Sequence, residues 1–271
     1  MEITKVVEPQ SSFTRRSALF SLTAVCATSI LATRAVAQDS NAQRALRAMS
    51  DYLQKATSIS ASFDSTIEVV TPSLEKIQFA SSGKLALERP NRLKVQRTGG
   101  YADATFIFDG NTFAVFEKDR NIFAQGSLPG TIDDLLNHLM KDAGIEPPAA
   151  DLFKANAYDA LMESVTDGRQ IGVGVISGIE CDHFAFRGEE VDWQIWIESG
   201  SAPAPRKYVI TNKAVSGAPE YTIVFRDWGT GAQFAPETFT FSPPEGARKI
   251  ALAELSGIDE VPPAAVNGGK K

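Results

Sequence analysis

The residues best suited to chemistry form one short stretch, Glu180-Cys181-Asp182-His183, in which a thiol, a carboxylate and an imidazole are adjacent. A nucleophilic cysteine needs a base, a group that orients the base and an oxyanion pocket. If the stretch is a strand, its side chains alternate, so Cys181 and His183 share one face and Asp182 points to the other. The three residues then cannot form a local triad, and at most a Cys181/His183 dyad remains.

A metal site is the second kind of chemistry that this stretch could support. Zinc needs three or four protein ligands, and the only other histidine, His138, falls in a different predicted element. The chain has no phosphate loop, no Gly-x-Ser-x-Gly elbow and no His-Glu-x-x-His motif. We therefore interpret Cys181 as a small buried hydrophobe and His183 as a structural residue, with a dyad or a metal site as alternatives. The sequence predicts no catalytic residue, no metal and no cofactor.

The first 37 residues have the composition of an export signal. Arg15 and Arg16 precede a modestly apolar run, and Ala35-Val36-Ala37 supplies the small residues that a signal peptidase requires. We expect cleavage after Ala37. The arginine pair favours a twin-arginine route over the general secretion route, and either route predicts a periplasmic protein.

The chain that remains after this cleavage is acidic, with 23 basic and 31 acidic residues and a formal charge of −8. Phosphate contacts need clustered lysine and arginine, so this composition argues against a nucleic-acid partner. Cys181 is its only cysteine, which excludes an internal disulfide even in an oxidising compartment. Its length suffices for one domain with a hydrophobic core of its own.

The apolar pattern predicts a mainly β chain with helices at two places. The apolar residues of Asn41 to Ala56 recur at helical spacing. Residues 59–69 instead alternate between apolar and polar, as in a strand with one face in solvent. Asp109-Gly110-Asn111 is a hairpin signal, because Asp-Gly accepts the positive φ angles of tight turns. Thr131 is expected to cap a first middle helix. The remaining predictions are a second middle helix at Ala149–Glu163, strands up to Thr238–Phe241, and a tail beyond Ile250.

This order of elements resembles that of the periplasmic lipoprotein carriers of the LolA/LolB type. The segment Phe239-Thr240-Phe241-Ser242-Pro243-Pro244-Glu245-Gly246-Ala247 is similar to the end of that fold. A closer resemblance is to an uncharacterised family of predicted periplasmic proteins, and it rests on four stretches: Leu87-Glu88-Arg89-Pro90-Asn91-Arg92-Leu93, Phe108-Asp109-Gly110, Glu180-Cys181-Asp182-His183 and Asp192-Trp193-Gln194-Ile195-Trp196.

The resemblance implies a mainly β (α+β) fold, a half-open antiparallel β-barrel of about 11–12 strands with an N-terminal helix and an inserted helical lid. Together with the signal and tail compositions, it leads us to divide the chain into an export signal (1–37), a LolA/LolB-like half-barrel domain (38–250) and a flexible C-terminal tail (251–271). Arg92 is a candidate hydrogen-bond donor to the lid.

Several strands carry large apolar residues on both faces, so both faces should meet apolar surroundings. One explanation is a sheet with the inserted helices on one face and the first helix on the other. The alternative, which the resemblance favours, is a concave face that lines a cavity for acyl chains. The candidate cavity and lid residues are Phe63, Phe79, Leu87, Phe106, Phe108, Phe113, Leu135, Leu139, Met140, Phe153, Trp193 and Trp196.

The sequence thus leads us to expect a monomeric, non-catalytic periplasmic carrier of lipid or lipoprotein acyl chains. An inner-membrane or outer-membrane envelope protein is a further candidate partner. Two alternatives stay open, a sensor or scaffold domain that binds a protein partner and an enzyme that depends on Cys181 and His183.

Overall fold

The computed structural model describes residues 41–143, 147–255 and 261–262 of the 271-residue chain. The predicted export signal, the cleavage site after Ala37 and most of the predicted C-terminal tail lie outside the described residues. Helix α1 covers residues 41–55, as its apolar spacing predicts. Within the described ranges, none of the helices combines the length and the apolar character that crossing a membrane requires.

The described residues contain twelve strands in a single sheet, and a helical insert separates the first six strands from the others. The insert consists of α2 (Ile132–Ala143), a 3-10 turn (Ala150–Phe153) and α3 (Ala157–Met162). The strands are β1 (Ser58–Val70), β2 (Lys76–Glu88), β3 (Arg92–Gly99), β4 (Asp103–Phe108), β5 (Thr112–Glu117), β6 (Ile122–Ser127), β7 (Val165–Ile176), β8 (Ile179–Gly188), β9 (Val191–Glu198), β10 (Pro205–Asn212), β11 (Glu220–Thr230) and β12 (Arg248–Lys249).

The strand order is β12-β6-β5-β4-β3-β2-β1-β11-β10-β9-β8-β7, and every neighbouring pair is antiparallel except the parallel pair β12–β6. β12 and β7 are the two edges of the sheet, so the barrel is not closed. The expected half-open barrel with an N-terminal helix and an inserted helical segment is confirmed.

Short polar signals set several element boundaries as predicted. Asp109-Gly110-Asn111 joins β4 to β5, with Gly110 at φ 92° and the Asp109 carboxylate accepting the Asn111 and Thr112 amides at 2.8 and 2.7 Å. Thr131 caps α2, because its hydroxyl accepts the Asp134 amide while the Asp134 carboxylate accepts from the Thr131 amide and hydroxyl. These hydrogen bonds lower the pKa of Asp134.

The predicted helix Ala149–Glu163 is interrupted. The chain leaves the 3-10 turn at Lys154, which is extended, and starts again at Asn156, whose side chain accepts the Asp159 amide at 3.1 Å. An asparagine in that position caps a new helix more readily than it continues an old one. The segment predicted as a second helix is therefore two short pieces, the 3-10 turn and α3.

The C-terminal segment corrects one further prediction. The prediction of a strand at Thr238–Phe241 is wrong. Residues Pro236–Phe239 form a 3-10 turn, and Pro236 is its first residue. Phe241 then lies with its ring centroid 6.3 Å from that of Phe116 and 5.3 Å from that of Phe123. Because Phe116 and Phe123 alternate with the cavity residue Val115 across β5 and β6, they lie on the convex face. This segment covers the outer apolar side of the sheet.

Helix α1 does not cover the convex face of the sheet. Its buried residues Ala42, Leu46, Met49 and Leu53 belong to the same core as α2, α3 and the concave side chains of the sheet. The Ser50 hydroxyl accepts the Tyr158 amide at 3.0 Å, which ties α1 to α3. The explanation that placed the first helix on the opposite face is therefore wrong.

The first residues of the expected flexible tail are packed. The Ile250 amide donates to the Phe123 carbonyl at 2.9 Å, and residues Leu252–Glu254 form a 3-10 turn. Leu252 packs against the core and Leu255 lines a cavity. Leu252 and Leu255, which fall within the predicted tail, therefore have apolar partners.

Candidate functional site: an apolar cavity under the helical insert

A partly open cavity of about 280 Å³ lies between the concave face of the sheet and the helical insert. Its size is close to the lower end of the range of about 300–1,000 Å³ that is typical of ligand pockets. The lining is apolar apart from Arg97 and the tyrosine hydroxyl. The lining residues are Phe63, Leu85, Leu93, Val95, Arg97, Ala104, Phe106, Val115, Ile132, Leu136, Leu139, Pro147, Pro148, Ala149, Ala150, Phe153, Tyr221, Ile223, Phe225 and Leu255.

The strand register arranges the floor of this cavity in rows that cross β1 to β4. The first row holds Ile59, Leu87, Leu93 and Phe108, and the second holds Ala61, Leu85, Val95 and Phe106. The third row holds Phe63, Gly83, Arg97 and Ala104, and the fourth begins with Ser65, Ser81 and Gly99. The fourth row is a local polar interruption, because the next residues on the same face are Ile67 and Phe79, and their β11 neighbour Tyr221 lines the cavity.

A close approach explains the glycine in the third row. A Cβ atom on Gly83 would stand 2.2 Å from Cζ of Phe63 and 2.3 Å from the carbonyl oxygen of Gln96. The missing side chain lets the Phe63 ring lie across β2, where it faces the cavity. A larger residue at position 83 would displace that ring from the cavity floor.

The turn between β2 and β3 holds both parts of the helical insert. Nη1 of Arg89 donates to the Phe153 carbonyl at 3.1 Å and Nη2 to the Lys154 carbonyl at 3.5 Å. The Pro90 carbonyl accepts the Ile132 amide at 3.0 Å. Burial lowers the pKa of Arg89, and the nearby Asp133 carboxylate opposes that effect. The sequence pointed to Arg92 for this contact, but Arg92 is exposed and pairs with Glu88 at 2.9 Å.

The alanine variant of Arg89 should loosen the insert. Loss of hydrogen bonds from a charged donor to partly buried carbonyls costs about 1.5–3 kcal/mol, so amides of residues 150–162 should exchange at least about tenfold faster in R89A. Hydrogen exchange read by mass spectrometry measures this. R92A is the matched control, since its exposed ion pair contributes at most about 1 kcal/mol. Equal exchange in R89A and R92A would contradict the assigned role.

The structure divides the twelve sequence candidates into three groups. Four of them line the cavity, namely Phe63, Phe106, Leu139 and Phe153. Five are buried in the core around it, namely Leu87, Phe108, Phe113, Leu135 and Trp193. Three lie elsewhere: Phe79 is half-buried and outside the lining, Met140 is 42% exposed, and Trp196 lies on the convex face.

Sequence reasoning missed much of the lining, including Val95, Ala104, Tyr221 and Ile223. Strict alternation along β3 and β4 would have found the first two, because they share parity with Leu93 and Phe106. Tyr221 and Ile223 reach the cavity because β11 pairs with β1, more than 150 residues away in sequence. No local signal reports that pairing.

The stretch Glu180-Cys181-Asp182-His183 lies on β8, and the predicted separation of its side chains is confirmed. Asp182 accepts hydrogen bonds from Gln170 at 3.4 Å and from Ser199 at 3.2 Å. Nε2 of His183 is hydrogen-bonded to Oε1 of Gln194 at 3.0 Å, and the imidazole stacks on the Trp196 ring with centroids 3.9 Å apart. Burial lowers the pKa of His183, which favours the neutral imidazole. Neither Gln194 nor Trp196 orients His183 toward a nucleophile.

Cys181 is fully buried, and its thiol donates to the Ile179 carbonyl at 3.4 Å. Burial raises the pKa of the Cys181 thiol above its ordinary value. The thiolate is the nucleophile and the metal ligand, so this environment disfavours both. Among the described residues, no group of three or more His, Cys, Asp and Glu side chains could hold a metal ion.

The burial of Cys181 predicts slow alkylation. In the mature chain at pH 7.5, iodoacetamide should modify Cys181 at least about a hundredfold more slowly than in 8 M urea, because the thiol is protonated and inaccessible. Intact-mass spectrometry follows the reaction, and C181S is the blank. Fast modification of the folded protein would restore the Cys181/His183 dyad as a working hypothesis.

The fold and the cavity define a class, that of half-open β-barrels with an apolar pocket under a helical insert. The chain belongs to the DUF2092 family of predicted periplasmic proteins, whose family model matches residues 42–253. A comparison with curated proteins finds no match.

Three distant solved structures are similar to this chain. The lipoprotein LppX of Mycobacterium tuberculosis is 14% identical with a TM-score of 0.44, and the match covers 72% of this chain and 98% of that one. A chain of the MucA/MucB complex of Pseudomonas aeruginosa is 12% identical with a TM-score of 0.42, and the match covers 74% of this chain and 61% of that one. A LolA superfamily protein of Nitrosomonas europaea is 11% identical with a TM-score of 0.35, and the match covers 74% of this chain and 97% of that one.

Proposed function

We propose that this protein is a non-catalytic periplasmic carrier that holds an acyl chain of a lipid or lipoprotein in the cavity under its helical insert. The observation that supports the proposal is the cavity itself, which is lined almost wholly by apolar side chains on both the sheet and the insert. An export signal that is cleaved after Ala37 belongs to the same proposal.

The energetics of such a cavity suit reversible binding. Each buried methylene contributes about 0.8 kcal/mol, so eight buried methylenes contribute about 6 kcal/mol before the cost of immobilising the chain is subtracted. This leaves an affinity that is useful for holding a ligand and low enough for release. A carrier must be able to do both.

Entry and release would proceed by movement of the insert. The insert is held to the sheet by the Arg89 contacts and by the Pro90–Ile132 hydrogen bond, all at one turn. Opening exposes the apolar floor to water, and closing over an acyl chain buries it again. Transfer is then driven by the difference in burial between donor, carrier and acceptor, with no covalent bond made or broken.

Ligand analysis tests this function directly. The mature protein should carry lipid after gentle purification from the periplasm, as seen by native mass spectrometry and by extraction, and it should bind a fluorescent fatty acid. The variant R89A should bind the same probe with faster release, and R92A is the control. Protein that is free of lipid and does not bind the probe would refute the proposal.

The exposed edge of the sheet favours a second candidate, a domain that binds a protein partner. Within the described chain, β7 is paired on one side only, with β8. Three of its apolar residues are largely exposed, with exposed fractions of 47% for Ile171, 65% for Val173 and 67% for Val175. An edge strand with free backbone groups and apolar side chains is able to accept an extended segment of another protein as an added strand.

A double variant addresses this candidate. V173K/V175K should leave the free energy of unfolding within about 0.5 kcal/mol of the wild-type value, since both side chains are exposed. If an envelope protein binds by strand addition, its cross-linking to residues on β7 should be lost in the variant and retained in K207Q, whose change lies on β10. Cross-links that are unchanged in both variants would exclude β7 as the binding edge.

A further inference from the structure

We infer that the hairpin of β1 and β2 is a second part of the ligand site, which carries the portion of a long acyl chain that the cavity does not enclose. Residues 67–79 of this hairpin are called the arm. The inference rests on the proposed carrier function and names the class of ligand, a long acyl chain whose head group stays in solvent. It is carried by an apolar face of the arm that continues the cavity floor.

The arm projects beyond the strands on both of its sides. β3 ends at Gly99, which is opposite Ser81 on β2, and the last pair between β1 and β11 is Ile67 with Tyr221. The pairing of β1 with β2 continues for three residues past Ile67. The end of the arm is therefore a two-stranded ribbon, and such a ribbon is marginally stable in water unless one of its faces packs against something.

The concave face of the arm is apolar. Across its two strands Ile67 is paired with Phe79, and Val69 with Ile77. Strand alternation from the cavity residue Phe63 places all four on the concave side of the sheet. The four are half-buried, and among the described residues they belong neither to the core nor to the apolar residues packed against it. This face therefore offers apolar surface for a ligand to cover.

The convex face of the arm carries a polar network. The Glu68 carboxylate accepts hydrogen bonds from Nζ of Lys76 at 3.0 Å and from Nε2 of Gln78 at 3.2 Å. It also accepts the Glu220 amide at 3.1 Å, which ties the arm to the start of β11. These hydrogen bonds hold the arm in place from its convex side and leave its concave side to the ligand.

The apolar surface of the cavity reaches the arm along β11. Phe225, Ile223 and Tyr221 alternate along this strand, and all three line the cavity. Tyr221 is in register with Ile67, and Ile67 with Phe79. The serine hydroxyls of the fourth row belong to β1 and β2, so they lie beside this path. An acyl chain is therefore able to run from the cavity onto the arm over side chains that are apolar apart from the tyrosine hydroxyl.

The size of the cavity decides which ligands need the arm. Its volume of about 280 Å³ is just below the range of about 300–1,000 Å³ that is typical of pockets for drug-sized ligands. A long acyl chain with its head group therefore extends outside it. The insert covers one end of the cavity, whereas the arm projects past its neighbouring strands. The methyl end of the chain should accordingly lie under the insert and the methylenes nearest the head group on the arm, with the polar head group in water.

A chain-length series measures how far the site extends. Saturated fatty acids from octanoate to hexadecanoate compete with 11-(dansylamino)undecanoic acid for the mature protein, each below its critical micelle concentration. Each methylene that becomes buried should strengthen binding by about fourfold, and each half-covered methylene by about twofold. We expect the cavity to hold decanoate, and the arm to raise the affinity by at least about tenfold more between decanoate and hexadecanoate.

Variants assign this gain in affinity to the arm. In V69T/I77T, threonine keeps a high strand propensity and presents hydroxyls that the acyl chain would have to desolvate. The gain from decanoate to hexadecanoate should shrink by at least about fivefold, while decanoate itself should bind within about twofold of its wild-type affinity. V70T/A80T is the matched control, because Val70 and Ala80 lie on the convex face of the same hairpin. Thermal unfolding of each variant confirms that it is folded.

A measurement on the unchanged protein gives the orientation of the chain. A nitroxide broadens the amide resonances of residues close to it, so spin-labelled stearates report where each part of the chain lies. The label of 5-doxyl-stearate is near the head group and should broaden the amides of the arm most. The label of 16-doxyl-stearate is near the methyl end and should instead broaden those of Leu93 and Leu139, which line the cavity.

The outcomes separate the inference from the function on which it rests. A smaller gain in V69T/I77T than in V70T/A80T, with arm amides broadened by 5-doxyl-stearate, supports the inference. Decanoate that binds as tightly as hexadecanoate, an equal gain in both variants, or arm amides that are not broadened overturns it and leaves the carrier function intact. A dimer in analytical ultracentrifugation that V69T/I77T dissociates also overturns it, because a second copy then covers the arm. Absence of binding by the dansyl probe and by every fatty acid overturns both.

Discussion

Substitution of Ala104 by tryptophan should abolish most acyl-chain binding and leave the protein folded. Ala104 is a half-buried residue of β4 whose side chain lines the cavity, so an indole at this position occupies space that the ligand would fill. If it displaces about three methylenes at about 0.8 kcal/mol each, affinity falls by about 2.4 kcal/mol, or roughly fiftyfold. Titration with the fluorescent fatty acid measures the change.

The neighbouring position provides the control. Thr105 is also half-buried but points to the opposite face of the same strand, and strands tolerate tryptophan well. T105W should bind the fluorescent fatty acid with an affinity within about twofold of that of the wild-type protein. If A104W binds as tightly as T105W, the ligand does not occupy this cavity, and the carrier proposal would lose the observation that supports it.

The largest loss of stability is expected from substitution of Phe186 by alanine. Phe186 is 1% exposed, and its ring stacks on that of Trp193 with centroids 4.0 Å apart. A Cβ atom on Gly168 would be 2.7 Å from the Phe186 ring, which shows how closely the ring covers β7. Truncating a buried phenylalanine costs about 3–5 kcal/mol. Urea unfolding followed by circular dichroism should show this decrease in the free energy of unfolding.

A matched stack on the other face of β8 gives the comparison. His183 also stacks on a tryptophan, Trp196, but on the half-exposed convex side. The variant H183A should lose about 1 kcal/mol, the contribution of the ring contact and one hydrogen bond. If H183A proves as destabilised as F186A, the assignment of the two faces of β8 would be incorrect.

The contrast between these two residues shows how far sequence reasoning extends. Alternation along β8 correctly separated Asp182 from Cys181 and His183, because the side-chain period of a strand is a local property of the backbone. The hairpin at Gly110 and the cap at Thr131 were predictable for the same reason. Each depends on groups within three residues of one another.

Predictions that required distant partners were less successful. Ala149–Glu163 breaks into two pieces at Asn156, and Thr238–Phe241 forms part of an irregular cover in place of a strand. In both segments the final conformation depends on which surface the apolar side chains reach. Phe241 reaches Phe116 and Phe123, which lie more than 100 residues earlier.

The sequence by itself determined the mainly β class, the first helix and the face on which each residue of a regular strand lies. Only the tertiary structure decided which of those residues line the cavity, placing Val95 and Ile223 there and Trp196 outside. The physical reason is that strand alternation is encoded locally. A cavity, in contrast, is created by the curvature of the whole sheet, by the β1–β11 pairing and by the insert that Arg89 holds over the sheet.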